Sequence, residues 1–232
     1  MTAPEKAKPA VAIADSVADA EGAAPQPVAR RRRGRSVEKT EETRTRLIRA
    51  AADVIGEIGY AKATIARITE RAQLALGTFY TYFASRQDLF DQLLPLLGKD
   101  MLDYIRDNMP EDTDVLVREE AGFRLYVEYM IENPGFYRLL NEAETMAPKA
   151  YQEHFRNLTN RYVRSIRRGW ERGELPGYDE RELEVVVYIL MSARNYLTMR
   201  YGRDGKRGTR VPDWVIEGYM KFVRGGLRPA GA

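Results

Sequence analysis

The stretch Thr64–Leu89 reads TIARITERAQLALGTFYTYFASRQDL. Two short helices and the opening of a third can be parsed from it. Thr64 offers a hydroxyl that can accept from the open N–H groups of a helix running to about Ala72. Gln73-Leu74-Ala75 breaks the pattern, and a second helix follows from about Leu76 to Phe83. Phe79 and Phe83 stand four residues apart on it, so both can enter a small core from one side. Ser85-Arg86-Gln87-Asp88 reads as a capping box that opens the next helix. That helix carries Leu89, Phe90, Leu93, Leu94 and Met101 at helical spacing, with Pro95 inside it.

Upstream, Leu47, Ile48, Ala51, Val54, Ile55 and Ile58 recur every three or four residues, the signature of one helix face. Glu41 and Glu42 suit the positive end of that helix, and Gly59 supplies a stop. Three helices with a short turn between the last two is helix-turn-helix organisation. The helix beginning at Leu76 has a second face with Gly77, Thr78, Thr81 and Tyr82. Hydroxyls are suitable partners for phosphate, and a glycine permits close approach of another backbone. A face that was only solvated would more often carry lysine and glutamate. The same argument turns Tyr80 and Tyr82 towards DNA.

In this setting, Gly59-Tyr60, Thr64-Ile65, Ile68 and the run from Ala72 to Leu89 closely resemble the tetracycline-repressor (TetR) family. Gly77 to Phe83 followed by Ser85-Arg86 is the most specific part, and the resemblance covers Thr43 to about Leu89. It implies an all-α fold: an N-terminal three-helix DNA-binding domain and a larger helical domain for ligand binding and dimerisation. It also implies that Thr64, Tyr82 and Arg86 meet phosphates, and that Thr78 and Tyr80 touch bases and sugar-phosphate. Leu76 stands at a major-groove position, where leucine can make only apolar contacts, for instance with thymine methyls. Packing on the turn is its other reading. Two residues depart from the family pattern. Gln73 replaces a glycine, and a glutamine at positive φ is strained. Ala75 replaces a capping residue, whose loss costs about 1 kcal/mol.

Outside this region the chain divides by composition. Residues 1–40 are rich in alanine and proline, poor in large apolar groups, and end in an arginine run, Arg30–Arg33 and Arg35. Such a segment is expected to be disordered, with the run either solvated or following DNA. The domains expected after it are a helix-turn-helix unit at 41–87, an effector-binding and dimerisation unit at 88–226, and a flexible end at 227–232. The basic tail accounts for the net charge of +3. Five further amphipathic segments follow Asp112, near 114–132, 134–145, 148–172, 179–201 and 212–225. The run Leu183–Met191 is apolar almost all round and must be covered on two sides: one can face its own domain and the other a second copy of the chain, with a purely intrachain core as the other reading. Trp214, Val215, Gly218, Tyr219, Phe222 and Val223 form one stripe on the last helix.

The middle of the chain is rich in tyrosine, phenylalanine and methionine, which can line a cavity or simply fill a core. Tyr126, Met130, Tyr137 and Phe155 are the pocket candidates from its first half. Tyr162, Tyr188, Met191 and Asn195 are those from its second, for a bulky and largely apolar effector. Arg124, Glu142, Glu144, Arg161, Arg164 and Arg194 are further polar candidates, with salt bridges among them as the simpler account.

The chain has no cysteine and a single histidine, His154, which removes thiolate and most metal chemistry. No nucleophile–base arrangement, metal-ligand cluster or phosphate loop is present, so neither catalysis nor a cofactor is expected. No apolar run is long enough to span a bilayer, and no secretory signal opens the chain. The expectation is a cytoplasmic regulator, a dimer that leaves a palindromic operator when a small molecule binds. The alternative is a DNA-binding protein without an effector, acting through a protein partner.

Overall fold

The computed structural model describes residues 28–111, 113–202 and 211–227, with side chains from residue 39 onward. Among these residues it is helical without strands: α1 Val28–Ile58, α2 Ile65–Arg71, α3 Leu76–Tyr82, α4 Arg86–Asp107, α5 Val115–Glu132, α6 Pro134–Met146, α7 Pro148–Glu171, α8 Leu183–Tyr201 and α9 Asp213–Leu227. The chain separates into two units after Glu41. The described part of the first is the opening of α1, and the second holds the rest.

The helix expected to start at Glu41 begins at Val28 instead. Arginine, lysine and glutamate are good helix formers, so Arg30–Lys39 can continue the helix without an apolar face. Residues 1–27 of the expected tail lie outside the described residues. Leu227, assigned from the sequence to a loose end, closes α9 and is buried, because it continues the apolar stripe of that helix. Residues 228–232 lie outside the described residues.

The turn between α2 and α3 is closed by its backbone. Gln73 N–H donates to Glu70 O at 3.0 Å and Leu74 N–H to Thr69 O at 2.9 Å, the paired bonds of a Schellman ending. The left-handed residue such an ending requires is Gln73, at φ 55°, a conformation that costs a residue with a Cβ about 1–2 kcal/mol. Arg46 of α1 compensates by donating to the last carbonyl of the helix, Ala72 O, at 2.6 Å. Ala75 gives α3 no side-chain cap, as its methyl dictates. Ser85 accepts from Asp88 N–H at 3.0 Å, while the Asp88 carboxylate reaches past Ser85 to Ala84 N–H at 2.9 Å.

Two apolar cores hold the molecule. The first joins α1–α4 to α6 through Leu47, Ile55, Phe79, Phe90, Leu93 and Leu139, and it runs across residue 87 because α4 belongs to both sides of that point. The second joins α5, α8 and α9 through Phe123, Val187, Leu190, Val215 and Met220. Two close crossings tie α1 and α4 to later helices. A Cβ on Gly56 of α1 would lie 2.5 Å from Gly135 Cα of α6, and one on Gly98 of α4 would lie 2.0 Å from His154 Nδ1 of α7. Burial pushes the His154 imidazole down to about 4, so it is neutral at ordinary pH and acts as a packing residue against Phe136 and Phe155. No helix among the described residues is long and apolar enough to cross a membrane.

Candidate nucleic-acid interface and ligand cleft

Helix α3 buries one side and leaves the other open. Phe79 and Phe83 enter the first core with ring centroids 5.5 Å apart. Leu76 and Tyr80 remain 53% and 58% exposed, and Gly77 and Thr81 are exposed beside them. The Tyr80 ring stands edge-on against Phe79 at 5.4 Å, which fixes its direction away from the core. Thr78 and Tyr82 are half-buried, and Tyr82 packs against the core from the side. Thr64 is exposed and caps α2, its hydroxyl accepting from Arg67 N–H at 3.3 Å. The guanidinium of Arg86, at the start of α4, lies over the Phe90 ring at 5.4 Å. All eight residues singled out in the sequence therefore lie on α3 or at the ends of the helices flanking it.

The cleft found in the larger helical part is lined mostly by residues other than those the sequence singled out. An open cleft of about 1090 Å³ lies among α4, α5, α7 and α8, and of the eight pocket candidates only Tyr162 lines it. Met130 is buried in the first core, with Tyr137 and Phe155 packed against it. Met191 packs against the second core and Tyr126 against both. Asn195 accepts from Tyr126 OH at 3.5 Å. Tyr188 points outward and is exposed. The physical reason is common to them: large amphipathic side chains fill space between helices as readily as they border it.

What lines the cleft instead is an excess of arginine over leucine and isoleucine walls. Arg164 and Arg168 are exposed at its rim. Arg118 donates to Pro110 O at 3.2 Å, and desolvation together with the charges of Arg168 and Arg172 holds its guanidinium below its ordinary value. Arg161 is paired with Asp103 at 3.0 Å. Among the other polar candidates, Arg124 pairs with Glu120 and Asp213, and Glu142 with Arg138.

At the buried side of the cleft, Glu119 of α5 gathers three other helices. Tyr162 of α7 and Tyr219 of α9 each donate a hydroxyl to its carboxylate. Arg194 of α8 donates Nε to Glu119 Oε1 at 2.9 Å and Nη2 to Glu119 O at 2.8 Å. The Glu119 and Arg194 side chains are only 1% and 12% exposed. Burial pushes both tyrosines above their ordinary range, so their hydroxyls stay protonated donors. Sequence reasoning missed Glu119, Arg118, Arg168 and Tyr219. The signal for Glu119 was available, since it interrupts the apolar stripe Val115–Phe123–Val127 at helical spacing. A charge in such a stripe needs a partner.

A second surface lies on α8 and α9. Leu183, Val186, Val187 and Leu190 face the second core, while Val185, Tyr188, Ile189 and Tyr196 are exposed on the other side of α8. The stripe expected on α9 divides. Val215, Tyr219 and Val223 are buried, whereas Trp214 and Phe222 are exposed with Gly218 between them. Six positions span too wide an arc of the helix for one face to cover.

The structure thus combines a helix-turn-helix head, whose third helix has an open face, with a helical body that carries a charged cleft. The chain matches, over residues 47–93, the model of the tetR family of bacterial regulatory proteins. It is 26% identical to the transcriptional repressor KstR2 of Mycobacterium tuberculosis over 81% of this chain and 94% of that protein. It is 24% identical to the nucleoid occlusion factor SlmA of a Marinomonas species, over 44% of this chain and only 52% of SlmA. The match thus spans about half the length of that relative. Among solved structures, the fold is similar to that of FadR from Bacillus subtilis in complex with stearoyl-CoA. The TM-score is 0.67 and the identity 16%, over 79% of this chain and 99% of FadR. KstR2 and FadR are transcriptional regulators.

Proposed function

We propose that the chain is a ligand-responsive repressor: a homodimer occupies a palindromic operator and leaves it when an amphipathic anion of acyl-CoA type enters the arginine-lined cleft. The observation that carries the reading is the cleft itself, walled by the second half of α4, the helix that starts at Arg86 beside the recognition helix. Phosphates and a thioester-linked chain match its surplus guanidinium groups and its apolar walls. The stearoyl-CoA bound by FadR supports that class. A bulky but largely apolar effector would leave Arg118, Arg164 and Arg168 unmatched.

In this reading residues 41–87 read DNA in the cytoplasm, and 88–226 bind effector and dimerise. Thr64, Tyr82 and Arg86 hold phosphates. Leu76, Gly77, Thr78, Tyr80 and Thr81 face the groove. The arginine run at 30–35 adds charge along the backbone. Selection of bound sites from random DNA, followed by challenge with coenzyme A, stearate and stearoyl-CoA, tests the whole. The expected result is an inverted repeat released by the thioester. Enrichment of no inverted repeat, or bound DNA that ignores all three compounds, overturns it.

Gly77 offers a sharper test of the DNA face. A Cβ there would meet nothing within 4 Å, so the fold itself has no need of glycine in α3. Gly77→Ala should stabilise the helix by about 0.5–1 kcal/mol. If a DNA backbone approaches that point, affinity should fall by about tenfold, ~1.4 kcal/mol. Thermal melting and fluorescence anisotropy on the selected site measure the two effects, and a variant as tight as wild type would take DNA away from this face.

A further inference from the structure

Resting on the reading of the cleft as a thioester site, we infer that the effector's acyl group carries a hydrogen-bond-accepting oxygen and that Arg194 receives it. Arg194 uses Nε and Nη2 on Glu119. Its Nη1 makes no hydrogen bond with any described residue. The guanidinium carbon lies 4.9 Å from the centroid of the Tyr162 ring and 5.9 Å from that of Phe123, so packing against two rings restricts its movement.

Gly122, one turn after Glu119, also lines the cleft. A Cβ on Gly122 would lie 3.3 Å from both Nη1 and Nη2 of Arg194. Any larger residue there would cover the donor that glycine leaves open. The cleft thus has exposed arginines at its rim, suited to phosphates, and one nearly buried arginine donor at its inner wall. A saturated chain pressed against that donor would strip its water and return no acceptor, which is unfavourable. A carboxylate, ketone or hydroxyl oxygen at the same place would replace the water. The chemistry therefore selects oxygenated acyl thioesters over plain ones. Arg194 lies on α8, the helix that carries the exposed apolar face, so the contact would be felt there directly.

The test is calorimetric titration of the full-length protein with matched thioesters, from butyryl-CoA to dodecanoyl-CoA, each beside its ω-hydroxy and ω-carboxy counterpart. The neutral ω-hydroxy series separates a directed hydrogen bond from general attraction to arginine. At the best chain length the oxygenated compounds should bind about tenfold more tightly than the plain one. Gly122→Ala, whose Cβ would crowd Nη1 and Nη2 alike, and Arg194→Lys, which keeps the charge but loses the planar fork, should each reduce that preference to about twofold or less. Equal affinities for plain and oxygenated compounds in the wild type would overturn the inference and leave the thioester reading standing. A preference that survives both variants would overturn the role of Arg194. Binding of no CoA compound at all would overturn the thioester reading, and this inference with it.

Discussion

Ile189→Glu is expected to leave a folded chain that no longer dimerises and that binds an inverted-repeat operator at least about a hundredfold more weakly, ~2.7 kcal/mol. Ile189 is 54% exposed, so the substitution should change the stability of the single chain by no more than about 0.5 kcal/mol. Its neighbours Val185, Tyr188 and Tyr196 on α8, with Trp214 and Phe222 on α9, are large apolar side chains that are exposed among the described residues. If two copies bury this surface against each other, each must desolvate the new carboxylate opposite its twin, at a cost of several kcal/mol. Helix-turn-helix dimers meet half-sites one helical turn apart, and a monomer loses the gain of binding the second half-site as a linked event. Sedimentation velocity and a gel shift on the two-half-site operator read the outcome. A variant that remains dimeric and keeps its operator affinity would place the dimer contact on another surface.

Glu119→Leu should destabilise the fold by about 3–5 kcal/mol, because it strands Arg194 as an unpaired charge that is nearly out of water. Four helices converge on this carboxylate, which accepts from Tyr162, Arg194 and Tyr219. The loss should appear as a lower denaturant midpoint for the whole body of the protein. Glu119→Leu combined with Arg194→Met should recover much of the loss, since replacing both members of a buried pair by apolar groups is often close to neutral. Recovery should stop short of complete, as the hydroxyls of Tyr162 and Tyr219 would still lack their acceptor. Urea unfolding followed by circular dichroism measures both. A single variant losing less than about 1 kcal/mol would mean that the pair is solvated and the network contributes little.

The head of the molecule was legible in the sequence because its determinants are local. A cap at Thr64, a turn at Gln73 and two phenylalanines four residues apart each act within a few residues of themselves. Even the strain expected of Gln73 is present, at φ 55°. The apolar character of Leu183–Met191 was legible for a similar reason, and in the structure one side of it is packed and the other is exposed. Helix length was misread at Val28 because a charged run has helix propensity without the apolar periodicity that betrays a helix.

The cleft could not be read in this way. Tyrosine, phenylalanine and methionine have the same patterning whether they border a cavity or fill a core, and packing put Met130, Tyr137 and Phe155 into or against the core. The cleft's own residues come from four helices, and Glu119 finds Arg194 only across 75 positions of chain. The sequence by itself determined the helices, the reading head and the apolar face of α8. Tertiary structure alone decided where the charge collects, because a buried carboxylate is stable only where separate helices bring it donors, and no local pattern encodes which helices those are.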